Sequence, residues 1–276
     1  MQRVLIPIDF TKRSRSVLTH ITKICNPEKY HFILYHNYAK SNTDEILISV
    51  EDIIENEISN RLEKEAAFLK SQIGSRYMSF EIKVDKGELV STLSDSCENN
   101  SIDLVVLGSE NGNSWTSSSN GKEIETFYLV KYLKCPVLII PQESAISYPN
   151  EVVFATRLNS TLNENEVAPL VKVLNDSKAH LDIVSFTKEE KQDKENVNKV
   201  AKNVDGYFKQ NPHEIHVISE VDPYSGILQF SKEHKADLLC IMYRKTSFLE
   251  RMLRESVSKQ MLNDVNLPIM VLKQNI

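Results

Sequence analysis

Residues 102–108 read IDLVVLG. An aspartate leads into an unbroken apolar run that ends on a glycine. The run is too short for a helix and does not alternate, so it reads as a strand buried on both faces. The same figure returns as ADLLCIM at 236–242, an offset of 134. VLIPIDFT (4–11) is answered by VVFATRLN (152–159) at an offset of 148, and CPVLII (135–140) by LPIMVL (267–272) at 132. Offsets that shrink along the chain place the length differences in loops. The halves are copies of one unit.

Helical patterns separate the strands. Val17, Leu18, Ile21 and Ile24 recur at helical spacing before Asn26-Pro27. Ile54, Ile58, Leu62, Ala66, Leu69 and Ile73 form one stripe, stopped at Gly74. Further helices are predicted around Leu89, Leu93 and Cys97, over GKEIETFYLVKYL (121–133), around Val167 and Leu170, on the stripe Val197, Val200, Val204 and Phe208, around Ile227, and from about 248 to 262. The remaining strands fall at 31–38, on Phe80, Ile82 and Val84, and at AHLDIVSF (179–186) and IHVIS (215–219). Each half runs βαβαβαβαβ. Continuous strands joined by crossover helices mean a parallel sheet covered on both faces. The predicted class is α/β, with two tandem Rossmann-like domains at 1–142 and 151–276, each a five-stranded parallel sheet flanked by helices. The linker is 143–150, inside the proline-bounded PQESAISYPN (141–150).

A length of 276 residues suits two cores of ordinary size. With 41% hydrophobic and 26% charged residues, the composition is that of a soluble globular protein. The chain opens without a basic, apolar leader, and no apolar run approaches the ~18 residues of a membrane span. A cytoplasmic location is therefore expected. A net charge of −5 gives no electrostatic reason to expect nucleic acid. Cys25, Cys97, Cys135 and Cys240 form no CxxC pair, and three sit in apolar settings, which favours buried, reduced thiols.

VLIPIDFT at the opening, DKGE (85–88) before the third helix, SIDLVVLGS (101–109) and CPVLIIP (135–141) at the close resemble the universal stress protein superfamily, in two consecutive units. The resemblance implies an adenine nucleotide alpha hydrolase-like fold. Its nucleotide-binding members hold ATP where the first and fourth strands end. They carry Gly, two residues, Gly, nine residues, Gly and then Ser or Thr, and many members that depart from this pattern lack nucleotide. The physical logic is general: ligands lodge at the topological switch point beyond the carboxyl ends of the strands, where glycines and helix N-termini admit phosphate.

In the first half, Asp9 stands at the family's first-strand aspartate; it also reads as a turn or N-cap residue for DFTKRS. Pro7, Ile8 and His36 would edge an adenine, and are otherwise core or rim residues. The resemblance makes GSENGNSWTSSSNGKE (108–123) the phosphate loop, with Gly108, Gly112, Gly121 and Lys122 as its binding residues. Three residues rather than two separate Gly108 from Gly112, and Lys122 follows Gly121 where Ser or Thr belongs. So much Ser, Asn and Gly also describes a surface loop. Trp115 within it is a contact residue or an anchor.

In the second half Arg157 replaces the aspartate, and Met242, Lys245 and Glu255 fall at the glycine positions; Ser256 alone keeps its place. The second domain reads as degenerate. Arg157, Arg244 and Lys245 either bind a small anion or belong to a solvated face of alternating charge. Asp103 and Asp237 precede the fourth strands of the two halves, a symmetry that predicts a turn role. HEIH (213–216) puts its histidines on opposite faces of a strand, and it is not the HExxH of zinc peptidases. No metal ligand set is predicted.

The expected function is that of a non-enzymatic binding protein of the stress response. ATP-type nucleotide, with magnesium, is confined to weak binding in the first domain. The alternatives are a nucleotide-free interaction scaffold and a binder of a small anion through the second domain; weak ATP hydrolysis stays open. Expected partners are unidentified proteins and an adenine nucleotide, with neither nucleic acid nor membrane. The closing strands CPVLIIP and LPIMVL are expected to pair the units as an internal pseudo-dimer, covering a sheet edge, and a homodimer is left open.

Overall fold

The structure is a computed structural model and describes residues 1–39, 48–74, 77–99, 101–109, 114–116, 123–142, 146–156, 162–187, 204–219, 222–243 and 266–274. It divides into two compact units, Met1–Glu143 and Ser144–Ile276. No helix among the described residues is long and apolar enough to cross a membrane.

The first unit runs β1 (Gln2–Pro7), α1 (Lys12–Ile24), β2 (Tyr30–Tyr38), α2 (Ile48–Ser71), β3 (Ser79–Lys86), α3 (Leu89–Asn99), β4 (Leu104–Ser109), β5 (Ser114–Thr116), β6 (Glu123–Glu125), α4 (Thr126–Tyr132) and β7 (Val137–Pro141). Its main sheet is parallel, in the order β3-β2-β1-β4-β7. The chain winds outward from β1 to β3, then crosses to the other side of β1 at β4. That reversal is the switch point, and right-handed crossovers put the helices before and after it on opposite faces. Accordingly α1 packs with α2, and α3 with α4. Sandwiched strands lose their water: Val4, Leu5 and Ile6 of β1, and Phe32, Ile33, Leu34 and Tyr35 of β2, are 0% exposed. Each large apolar side chain so buried contributes about 1.5–3 kcal/mol. α2 buries Ile58, Leu62, Ala66 and Leu69, and Ile73 just past its end is buried too, whereas Ile54 of the same stripe is exposed.

One stretch departs from the expected pattern. The helix predicted from 121 starts at Thr126, and residues 123–125 are instead β6, paired antiparallel with β5. The sequence 108–123 therefore contributes strands to a hairpin, with Trp115 opposite Ile124 in register. Ile124 fits a helical stripe and a strand equally well, so periodicity alone could not separate them.

The second unit runs β8 (Glu151–Ala155), α5 (Glu164–Ser177), β9 (His180–Thr187), β10 (His213–Ser219), α6 (Pro223–Glu233), β11 (Leu238–Tyr243) and β12 (Ile269–Lys273), with a helical segment at 204–208. Its sheet is parallel and repeats the order of the first, β10-β9-β8-β11-β12. The start of α5 is fixed by a capping box: Asn163 Oδ1 accepts from the Glu166 N–H at 3.0 Å, and the Asn163 N–H donates to Glu166 Oε2 at 3.2 Å. The helix predicted at 248–262 lies outside the described residues.

The duplicated aspartates do the same work in each unit. Asp103 Oδ2 accepts from the Arg3 N–H at 2.7 Å, at the start of β1. Asp237 Oδ2 accepts from the N–H groups of Asn150 and Glu151 at 2.9 and 3.1 Å, at the start of β8. Each carboxylate satisfies donors at the start of the first strand, ahead of the first pairs of its ladder with the fourth strand, Val4 with Leu104 and Val152 with Leu238. Residues 146–150, read as part of the linker, are tied to the second unit: Ile146 is buried, and the Tyr148 hydroxyl donates to the Asp176 carbonyl at 3.1 Å. All four cysteines are buried, and none forms a disulfide. Contact with Cys135 and burial push the Cys97 thiol far up, and burial does the same to Cys240.

Candidate functional site

At the carboxyl ends of β1 and β4 the first unit gathers Asp9, Arg13 and Gly108. Asp9 Oδ1 accepts hydrogen bonds from the Thr11 N–H at 3.0 Å and the Thr11 hydroxyl at 2.6 Å. This is an Asx turn, which bends the chain from β1 into α1. Asp9 Oδ2 accepts from Arg13 Nη2 at 2.9 Å, and the Asp9 and Arg13 side chains are 2% and 4% exposed. Burial acts to raise the Asp9 pKa, but the hydrogen bonds from Thr11 and Arg13 outweigh it and hold the carboxyl below its ordinary range.

Gly108 answers to the same arginine. A Cβ at this position would stand 2.7 Å from Arg13 Cγ, 2.9 Å from the Arg13 carbonyl oxygen and 3.1 Å from Val17 Cγ2. The glycine therefore lets α1 lie directly on β4, a packing reason independent of any phosphate.

The neighbouring candidates are also engaged. Pro7 is buried and pairs with Tyr35. The Ile8 N–H donates to the Tyr35 carbonyl at 2.7 Å, and the Ile8 carbonyl accepts from His36 Nδ1 at 2.6 Å. Burial lowers the His36 pKa and the charge of Arg61 adds to this, against the opposing pull of the Ile8 carbonyl. Phe10 has φ of 60°, a left-handed conformation that a bulky side chain seldom takes. Its ring lies 4.8 Å from that of His36, and the Arg61 guanidinium stands 3.8 Å from its centroid. The fold thus brings Pro7, Ile8, Asp9, His36 and Gly108 together, while Gly112, Gly121 and Lys122 lie outside the described residues. Arg13 was not singled out in the sequence, though its place four residues after Asp9, in the first turn of a helix, was the available signal.

In the second unit the Thr156 N–H donates to the Val184 carbonyl at 3.0 Å, repeating the bond of Ile8. Met242, the counterpart of Gly108, is buried within β11. Arg157, Arg244, Lys245, Glu255 and Ser256 lie outside the described residues. The two histidines of HEIH do diverge: His213 Nε2 meets Asp205 at 3.1 Å, and His216 Nε2 meets Asp182 at 2.7 Å.

A parallel α/β unit in tandem, with its switch point between the first and fourth strands, defines the class. The model of the Universal stress protein family matches residues 161–273. That match lies within the second unit, and over its full length the chain is two such α/β units in tandem. Among solved structures, a universal stress protein from Archaeoglobus fulgidus DSM 4304 is similar over 99% of this chain and 96% of its own, at 16% identity and a TM-score of 0.71. A functionally unknown protein from Pseudomonas aeruginosa PAO1 is similar over 99% and 92%, at 14% identity and 0.56. The cytoplasmic domain of a prokaryotic cation chloride cotransporter is similar over 98% and 95%, at 10% identity and 0.59. At these identities the likeness is one of fold. Comparison with curated proteins gives no match.

Proposed function

We propose that the chain is a non-enzymatic, cytoplasmic regulator of the stress response that acts through protein contacts and holds no ATP at the first unit's switch point. The observation that supports this is the buried pair of Asp9 and Arg13, packed over Gly108. The Asp9 side chain is only 2% exposed and already accepts from Thr11 and Arg13, so a ribose hydroxyl would reach it only by opening that buried cluster. Opening a buried ion pair costs about 3–5 kcal/mol, whereas a hydrogen bond to a charged group returns about 1.5–3 kcal/mol. The exchange is uphill.

The competing reading places ATP with magnesium in the first unit, and it draws on Asp9 and Gly108 standing at adjacent strand ends. A melting-temperature panel separates the two. ATP, ADP, AMP and cyclic AMP are tested with and without magnesium; phosphate and sulfate are included for the anion reading on Arg157, Arg244 and Lys245. A ligand at a hundred times its Kd adds about 2.7 kcal/mol to stability, a shift that is easily seen. The proposal expects no nucleotide response at millimolar concentration. A response that disappears in Asp9→Ala overturns it.

A further inference from the structure

We infer that the second unit carries a site for a divalent transition-metal ion of the zinc class, formed by Asp182, His216 and His234. Asp182 lies near the amino end of β9, and its side chain is only 5% exposed. His216 Nε2 is 2.7 Å from one of its oxygens and His234 Nδ1 is 2.7 Å from the other. One donor atom from each residue lies within 4.8 Å of the other two. The three come from different elements: β9, the middle of β10, and the residue that follows α6. Because α6 returns from the carboxyl end of β10 to the amino end of β11, the trio is remote from the unit's switch point.

A carboxylate faced by two imidazole nitrogens supports two states. In one, both rings donate N–H to the carboxylate. In the other, the same two nitrogens turn their lone pairs inward, and a cation takes the place of the two protons. Neutral rings need only a tautomer change for this, with the proton moving to His216 Nδ1 and His234 Nε2. Two imidazoles and a carboxylate suit zinc and its neighbours, and three protein ligands leave a coordination position open. Bonds of about 2.0–2.2 Å bring tetrahedral donors to roughly 3.3 Å from one another. The two 2.7 Å contacts to Asp182 must open and the wider spacings of the trio, all within 4.8 Å, must close to reach it, and side-chain exposures of 26% for His216 and 35% for His234 leave room for both movements.

The surroundings favour the ion. Phe230 stacks on His234 at 3.8 Å and 18° and stands 5.0 Å from His216, fixing both rings and excluding water on that side. Glu214 Oε2 lies 3.8 Å from His216 Nε2 on an exposed side chain, within reach of the open position. His180 and Glu151, 3.3 Å apart, form with Asp182 a second group of donors within 4.8 Å, so Asp182 is the hub of both.

The test uses the full chain, stripped with a chelator and titrated with Zn2+ against a chromophoric competitor. One Zn2+ per chain is expected, with Mg2+, an oxygen-seeking ion, failing to compete. His216→Ala and His234→Ala should each weaken binding at least about tenfold, and His20→Ala in the other unit should leave it unchanged. His216→Gln and His234→Gln keep a hydrogen-bond donor for Asp182 and stand in if the alanine variants unfold, as judged by circular dichroism. Nitrogen-15 spectra of the histidines should show the ring protons changing places on binding. Absence of Zn2+ binding at micromolar concentration, or binding that survives both His216 and His234 substitutions, overturns the proposal.

Discussion

Gly108 and Arg13 meet with no space for a methyl group between them: a Cβ on the glycine would lie 2.7 Å from Arg13 Cγ and 2.9 Å from the Arg13 carbonyl oxygen. One of these contacts is backbone, so it cannot be relieved by a rotamer change. Gly108→Ala should therefore cost about 1–3 kcal/mol through overpacking, measured by urea denaturation. Gly206 has open space around the same position. Gly206→Ala, in the helical segment 204–208, should instead stabilise by about 0.5–1 kcal/mol.

Asp9→Asn deprives buried Arg13 of its charge partner, and a loss of about 3–5 kcal/mol is expected. The pH dependence has a definite sign. The folded pKa of Asp9 is depressed, so its contribution is complete above the unfolded value of about 3.9 and is lost as pH falls through the folded value. Denaturation midpoints from pH 5 downward should fall more steeply in the parent protein than in Asp9→Asn.

His36 governs a separate window. Its folded pKa is lowered, chiefly by burial, so below about pH 6.5 the unfolded chain binds the proton more readily than the folded one. Stability should decline between pH 7 and pH 5, and His36→Gln should flatten that decline. His20, lowered by burial and by Lys23, contributes in the same direction and remains in the variant.

The duplicated aspartates give a paired test. Asp237 holds two backbone N–H groups and accepts from the Ser147 hydroxyl at 3.3 Å, whereas Asp103 holds the Arg3 N–H. At about 0.5–1.5 kcal/mol for each net hydrogen bond, Asp237→Ala should be the more damaging. Equal losses in the two variants would contradict the roles assigned here.

The unbroken apolar runs and the shrinking offsets carried the architecture, because a doubly covered parallel strand must be apolar at every position. The hairpin of β5 and β6 was not legible, since three-residue strands in a polar stretch lack any period to detect. Asp9 was legible as a candidate; that Arg13 engages it is a matter of helix geometry and burial that a motif does not express. Asp182, His216 and His234 come together only through the packing of three elements, so no spacing announces them. The family match falls on residues 161–273, the half in which Met242, Lys245 and Glu255 stand where the resemblance leads one to expect glycines. Core pattern and site residues are under different physical demands, and either can persist without the other.

Calorimetric titration of the full chain with magnesium and ATP tests the central claim most directly, because that claim is a statement about what Asp9 is bonded to. With Asp9 held by Thr11 and Arg13, no saturable heat is predicted up to millimolar nucleotide. A saturable, stoichiometric isotherm that vanishes in Asp9→Ala would contradict the account.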